Sequence, residues 1–182
     1  MTERLSVAIF GSANVTGTND YQAQIEALGG ELAKKDLDIF VGSTTGLIGR
    51  FLEGVHKAQK VSIVNLVAYG DQRYMSDQHI DNLILKECYF TRLSVLCECE
   101  VFIVLDGQLG TMAETMVTWN RLQANKEFDR KIIIFGDIES IKIKFLLNNF
   151  VFSKQAYREL VYFAKDVEEV MKMTDKMLAL HE

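Results

Sequence analysis

The sequence predicts an α/β fold, a Rossmann-like doubly wound parallel sheet with helices on both faces. Three observations carry that expectation. Short apolar, β-branched runs alternate with helical stripes along the chain, the pattern of parallel strands joined by crossover helices. Glycine turns follow several of these runs, at Gly11-Ser12, across residues 42–49 and at Gly107 to Gly110. Turns that follow parallel strands share the carboxyl edge of the sheet, where ligands of this architecture sit. No linker, repeat or low-complexity segment divides the chain, so residues 1–182 are read as one domain.

Each element has its own justification. Residues 5–10 are an apolar run closed by Gly11-Ser12. A polar stretch follows, in which Asn19 or Asp20 can cap a helix with the stripe Tyr21, Ile25, Leu28 and Leu32. Gly29-Gly30 inside it cost roughly 1 kcal/mol each relative to alanine, which implies close packing against the sheet. Residues 37–41 form the second strand and run into Gly42-Ser43-Thr44-Thr45-Gly46, then a helix with Ile48, Phe51, Leu52 and Val55 inward. That turn serves either a close backbone approach to a ligand or the change of direction alone. Residues 61–67 are the third strand. Residues 69–81 are polar and long for a connector, and read as a lid or a poorly ordered loop.

Residues 83–87 are the fourth strand, followed by a helix from Tyr89 to about Glu98. Its apolar stripe is Tyr89, Leu93, Leu96 and Cys97, with Arg92 off the stripe. Residues 101–105 form a buried strand, and 111–124 a helix with Met112, Met116, Trp119 and Leu122 on one side. A strand at 131–135, a helix at 140–148, a strand at 160–164 and an amphipathic helix at 167–180 complete the alternation.

Composition narrows the function. A formal charge of −5 with scattered basic residues leaves no electrostatic footprint for nucleic acid. The opening Met-Thr-Glu-Arg lacks the parts of a signal peptide, and no apolar run reaches membrane-spanning length. A cytoplasmic protein without a membrane partner is the expectation. Cys88, Cys97 and Cys99 are an odd number of thiols, with no histidine or fourth thiol at ligand spacing. They read as reduced, buried small hydrophobes rather than metal ligands, and neither metal nor cofactor is expected.

Asp106-Gly107-Gln108-Leu109-Gly110-Thr111-Met112-Ala113-Glu114, with Thr118-Trp119 after it, resembles a known signature. It is the Pro-Gly-Gly-x-Gly-Thr-x-x-Glu of the LONELY GUY (LOG) family, cytokinin riboside 5′-monophosphate phosphoribohydrolases also labelled lysine-decarboxylase-like. Residues 83–92 resemble the strand leading into that family's Met-His-x-Arg-Lys. Residues 42–49 resemble its Gly-Leu-Met-Gly turn, and Phe10-Gly11-Ser12 its opening Gly-Ser. The resemblance spans nearly the whole chain. It implies cleavage of the N-glycosidic bond of a purine or cytokinin-type nucleoside 5′-monophosphate, giving free base and ribose 5-phosphate. Arg92 and Glu114 fall on the catalytic positions. Gly11, Ser12, Gly42, Ser43, Gly46, Gly107, Gly110 and Thr111 fall on nucleotide- and phosphate-binding ones. A homodimer or larger oligomer, with the Arg92 helix near the partner, is also implied. The alternative is a non-catalytic nucleotide-binding or sensing protein of the LOG-like superfamily. A weaker third reading is a carrier for a phosphorylated pterin-type cofactor.

Elementary chemistry bears on these roles. Breaking an N-glycosidic bond builds positive charge on the ribose, which a carboxylate stabilises or answers by activating water. The donor fork of Arg92 suits a phosphate or the polar edge of a ligand. Thr111-x-x-Glu114 is equally a capping box. Arg92 taken alone is a solvated surface arginine, and in the catalytic role Arg92→Ala is expected to cut turnover without appreciably lowering the melting temperature. The sequence also departs from the signature. Asp106 stands for its proline and is expected to put a negative charge beside the phosphate, and Gln108 replaces a glycine where backbone approaches the ligand. Phe90 and Leu93 stand where the family has histidine and lysine.

Overall fold

A computed structural model describes residues 4–70, 79–149 and 155–181. Its elements are β1 (Ser6–Phe10), α1 (Asn19–Ala33), β2 (Asp38–Val41), α2 (Gly46–Lys57), β3 (Ile63–Tyr69), β4 (Asn82–Lys86), α3 (Tyr89–Leu96), β5 (Val101–Val104), α4 (Leu109–Asn125), β6 (Lys131–Ile134), α5 (Asp137–Asn149), α6 (Gln155–Arg158), β7 (Val161–Phe163) and α7 (Val167–Leu178). Every expected strand and helix is present within a few residues, and the short α6 was not foreseen. The expected long connector falls mostly at residues 71–78, outside the described residues.

The strands pair in the order β4-β3-β2-β1-β5-β6-β7, and every pairing is parallel. The chain works outward from β1 to β4, then returns to lay β5 on the other side of β1. The carboxyl ends of β1 and β5 therefore flank the point where strand order reverses, where an open crevice forms. Central strands such as β5 (VFIV) are apolar at every position and fully buried, because helices cover both faces. One face carries Ile25 and Leu28 of α1, Phe51 of α2 and Val170 of α7. The other carries Leu96 of α3, Trp119 and Leu122 of α4 and Ile143 of α5.

Local details correct the sequence reading. Helix α1 is capped by Thr18, whose hydroxyl accepts from the Tyr21 N–H at 3.2 Å, and not by Asn19 or Asp20. The Gly29 approach is to a helix rather than to the sheet. A Cβ there would lie 2.0 Å from the Phe51 carbonyl oxygen, and one at Gly54 would lie 1.8 Å from that of Glu26. Glycines on both sides let α1 and α2 touch backbone to backbone. The buried face of α4 is Thr111, Glu114, Thr115, Thr118, Trp119 and Leu122, while Met116 is 38% exposed. Its threonines tolerate burial through short-range partners. Thr115 Oγ1 donates to the Thr111 carbonyl at 2.8 Å, and Thr118 Oγ1 lies 3.2 Å from Cys97 Sγ.

Cys97 and Cys99 are buried and Cys88 is exposed at the start of α3, all three as free thiols. Burial pushes the Cys99 thiol up to about 12. Among the described residues no group of three or more His, Cys, Asp or Glu could hold a metal ion. No helix among them is long and apolar enough to cross a membrane.

Candidate functional site

The carboxyl ends of β1, β2, β3 and β5 open onto one cavity of about 300 Å³. Its floor is stitched together by backbone. The Ser12 N–H donates to the Asp106 carbonyl at 3.1 Å, and the Leu47 N–H donates to the Ser12 carbonyl at 2.9 Å. These bonds clamp the turn after β1 between the turn after β5 and the start of α2. Gly46 makes the clamp possible, since its φ is +65° and a Cβ would lie 2.5 Å from the Ser12 oxygen.

Arg92 crosses this floor. It leaves the first turn of α3 and runs beneath the cavity with 6% of its surface exposed. Nε donates to the Val67 carbonyl of β3 at 2.9 Å, Nη2 to the Gly42 carbonyl after β2 at 3.0 Å, and Nη1 to Glu114 Oε1 of α4 at 3.1 Å. Gly42 has to be glycine, because a Cβ would sit 1.7 Å from Arg92 Nη2. The reading of Arg92 as a solvated surface residue is therefore overturned. Its partners come from β3, β2 and α4, so the pattern of its own helix could not reveal its burial.

Glu114 is 8% exposed. Burial holds its carboxyl above the ordinary carboxylate range, and the attraction and hydrogen bond of Arg92 oppose that shift without cancelling it. The capping-box reading of Thr111 and Glu114 fails. Helix α4 begins after Gln108, which makes no side-chain cap bond, and the Glu114 carboxylate is turned to Arg92 instead. A capping box does form on α3, between Cys88 and Thr91.

The cavity is lined by the expected Gly11, Ser12, Gly42, Ser43, Gly110 and Thr111, together with Arg92 and Glu114. A Cβ on Gly110 would meet nothing within 4 Å, so this first turn of α4 faces open space. Gly46 and Gly107 are not lining residues. Gly46 supports the floor, and a Cβ on Gly107 would strike Thr111 Oγ1 at 2.1 Å. Asn14, Tyr69, Tyr89 and Gln108 also line the cavity and were missed as site residues. The available signal for the tyrosines was position alone, at the end of β3 and at the start of α3.

Asp106 departs from its expected place. Its Oδ1 accepts the Glu139 N–H at 2.9 Å in the first turn of α5, so its charge faces a helix N-terminus rather than the cavity. Gly136 leaves room for it, since a Cβ there would lie 2.3 Å from Asp106 Oδ1. Behind the same turn, Lys142 Nζ donates to the Gly107 carbonyl at 2.6 Å and to Glu139 Oε2 at 3.0 Å. Burial raises the carboxyls of Asp106 and Glu139, and Lys142 pulls both back.

A doubly wound parallel sheet with a glycine-floored cavity at its switch point defines a Rossmann-like α/β protein. The chain belongs to the SLOG cluster4 family, whose profile matches residues 4–171, and so to the LOG-like (SLOG) superfamily. Among solved structures it is similar to the molybdenum cofactor binding protein of Rippkaea orientalis, at 15% identity and a TM-score of 0.74 over 98% of this chain and 99% of that one. It is similar to the Moco carrier protein of Chlamydomonas reinhardtii, at 17% identity and a TM-score of 0.73 over 97% and 99%. DNA processing protein A of Helicobacter pylori, described with a single-stranded DNA binding mode, matches at 16% identity and a TM-score of 0.62 over 96% and 81%. At such identities the likeness is one of fold. No curated protein matches the sequence.

Proposed function

We propose that this chain binds a phosphorylated, nucleotide-like small molecule across the carboxyl edge of its sheet and holds it without cleaving it. One observation carries the reading. The only expected catalytic acid, Glu114, is paired with a buried Arg92 that two backbone carbonyls anchor in turn. The pair forms a neutral wall beside the open turn at Gly110 and Thr111, where the first N–H groups of α4 suit a phosphate. Ser12, Ser43 and the glycines at 11 and 42 complete the proposed cradle, with Gly46 and Gly107 shaping it from behind. The superfamily assignment and the cofactor-binding descriptions of two structural neighbours support a binding role. A net charge of −5 favours a small anion held locally over a long polyanion such as single-stranded DNA.

Hydrolysis is the second reading, favoured by one feature. The carboxyl of Glu114 is raised by burial, as suits a group that takes a proton from an attacking water. In that step the water oxygen bonds to the ribose anomeric carbon, the C–N bond breaks, and its electron pair leaves with the base. A calorimetric titration with AMP, followed by chromatography of the same mixture, separates the readings. Binding without adenine release is the expected result. Adenine release that disappears in Glu114→Gln overturns it and installs the hydrolase. We also propose an oligomer, dimer or larger, supported by the exposure of Phe90 on α3 and Phe145 on α5, on the same side of the sheet.

A further inference from the structure

We infer that Tyr89, braced by Tyr69, is the side chain that recognises the ring end of the proposed ligand, by stacking on its flat face. This rests on the proposed phosphate end of the same cavity and adds its other end.

The layout of the sheet supplies the length. The proposed phosphate turn follows β5, and Tyr69 ends β3. Between them lie β1 and β2, so three strand spacings separate the ends, about 14 Å at about 4.8 Å each. An extended nucleoside monophosphate fits within that span. A cavity of about 300 Å³ is at the lower end for ligand pockets and is too small for a dinucleotide lying fully inside it.

The tyrosines are held rather than loosely exposed. The ring centroids of Tyr69 and Tyr89 lie 5.8 Å apart at 77°, edge to face. Phe90 meets Tyr89 at 5.8 Å and 76°, and the Arg92 guanidinium carbon lies 5.9 Å from the Tyr89 ring centre. Both tyrosines are only half-buried and both line the cavity. A ring fixed in place while still facing open space has already lost its side-chain freedom, so a ligand ring meets it at low entropic cost. Beside it, the guanidinium of Arg92 and the carboxylate of Glu114 line the same cavity. Purines and pterins carry donors and acceptors together on their ring edges, whereas a bare sugar phosphate offers no face to stack.

The test uses the full chain in calorimetric titrations with AMP, a monophosphorylated pterin, adenosine and ribose 5-phosphate. The expected result is tighter binding of AMP or the phosphopterin than of ribose 5-phosphate. Tyr89→Ala should weaken the ring-bearing ligand roughly five- to a hundredfold, the range of one base–aromatic stack, and leave ribose 5-phosphate unchanged. Tyr89→Phe should keep the ring-bearing affinity. In the unmutated protein the ultraviolet band of the bound ligand should lose intensity on stacking, a readout that survives if Tyr89→Ala fails to fold. Equal weakening of AMP and ribose 5-phosphate, no weakening of either, or AMP binding no better than ribose 5-phosphate overturns the stacking role. Adenosine binding as well as AMP would instead remove the phosphate cradle and leave the stacking role standing. Binding of none of the four removes both.

Discussion

Replacing Arg92 with methionine keeps most of the side-chain volume and removes the donor fork. Three hydrogen bonds disappear, and Glu114 is left buried without its partner. Breaking a buried pair from one side costs about 3–5 kcal/mol. The Gly42 carbonyl, at the cavity wall, can turn to water and limits any further loss. For a chain of this length each kcal/mol moves the melting temperature by about 2–4 °C, so a fall of roughly 6–20 °C is expected. The expectation drawn from sequence alone, an unchanged melting temperature, is thereby reversed.

The cost should also depend on pH. Because burial outweighs Arg92, the folded protein binds a proton at Glu114 more readily than the unfolded chain does. Such a group contributes most stability below the ordinary glutamate value of about 4.3 and loses it as pH rises through the higher folded value. Without Arg92 the folded value climbs further, so the loss deepens and extends upward in pH. The stability gap between the unmutated protein and Arg92→Met should be widest near neutrality and shrink towards about pH 4.5. Asp106 and Glu139 titrate in both proteins and cancel in the difference. Denaturant titrations of Arg92→Met, Glu114→Gln and the double variant across that range measure it. In the Glu114→Gln background the pH dependence of the gap should vanish. A gap under about 1 kcal/mol, or one flat with pH, refutes the buried-pair reasoning.

Four further outcomes are expected. Gly42→Ala places a Cβ 1.7 Å from Arg92 Nη2 and must expel the guanidinium. Its destabilisation should match that of Arg92→Met and not add to it in the double variant, as denaturant titration will report. Gly110→Ala meets no neighbour within 4 Å, so stability should hold or rise by up to about 1 kcal/mol. AMP affinity should fall as the methyl enters the phosphate end, and unchanged affinity in calorimetry would move the cradle elsewhere. Lys142→Met strips the cation from Glu139, which is fully buried. A loss of roughly 1–3 kcal/mol is expected near neutrality. That gap should narrow in acid, as Glu139 takes up a proton, when melts are compared across pH. Light scattering on the eluted protein should give the mass of a dimer or larger, and a single-chain mass ends the oligomer proposal.

The strands and their order of appearance were legible because most buried strands are apolar runs and glycine follows β1, β2, β3, β5 and β6. That Arg92 and Glu114 share the carboxyl edge was legible from the strand–turn–helix order, while their pairing as two functional groups came from the resemblance. Periodicity placed Arg92 off its apolar stripe, and its partners lie 22 to 50 residues away. Asp106 shows the same limit. Its charge goes to the start of α5 because Gly136 leaves space, and nothing near residue 106 in the sequence records that vacancy. The partner of Gly29 was misread as the sheet, since a glycine announces close approach without naming what approaches. Tyr69 and Tyr89 are not visible as site residues in the sequence, because an aromatic residue at a strand end or on a helix's apolar stripe is ordinary core material unless a cavity opens beside it.

The charge balance around the cavity argues for holding over cutting. Arg92 and Glu114 neutralise each other, and Lys142 is spent on Glu139 and the Gly107 carbonyl behind the turn. What remains to attract an anion is the open first turn of α4, a fractional positive charge that no side chain of the described cavity lining augments. A site built this way binds a phosphate by geometry more than by charge. Committing Glu114 to a ribose would cost its bond to Arg92 at the moment the ring carbon becomes positive, and would bring an unpaired guanidinium beside that charge. Holding the ligand costs neither. On the proposed reading the pair is a fixed dipolar wall for a ring edge, with the phosphate at one side and the tyrosines at the other.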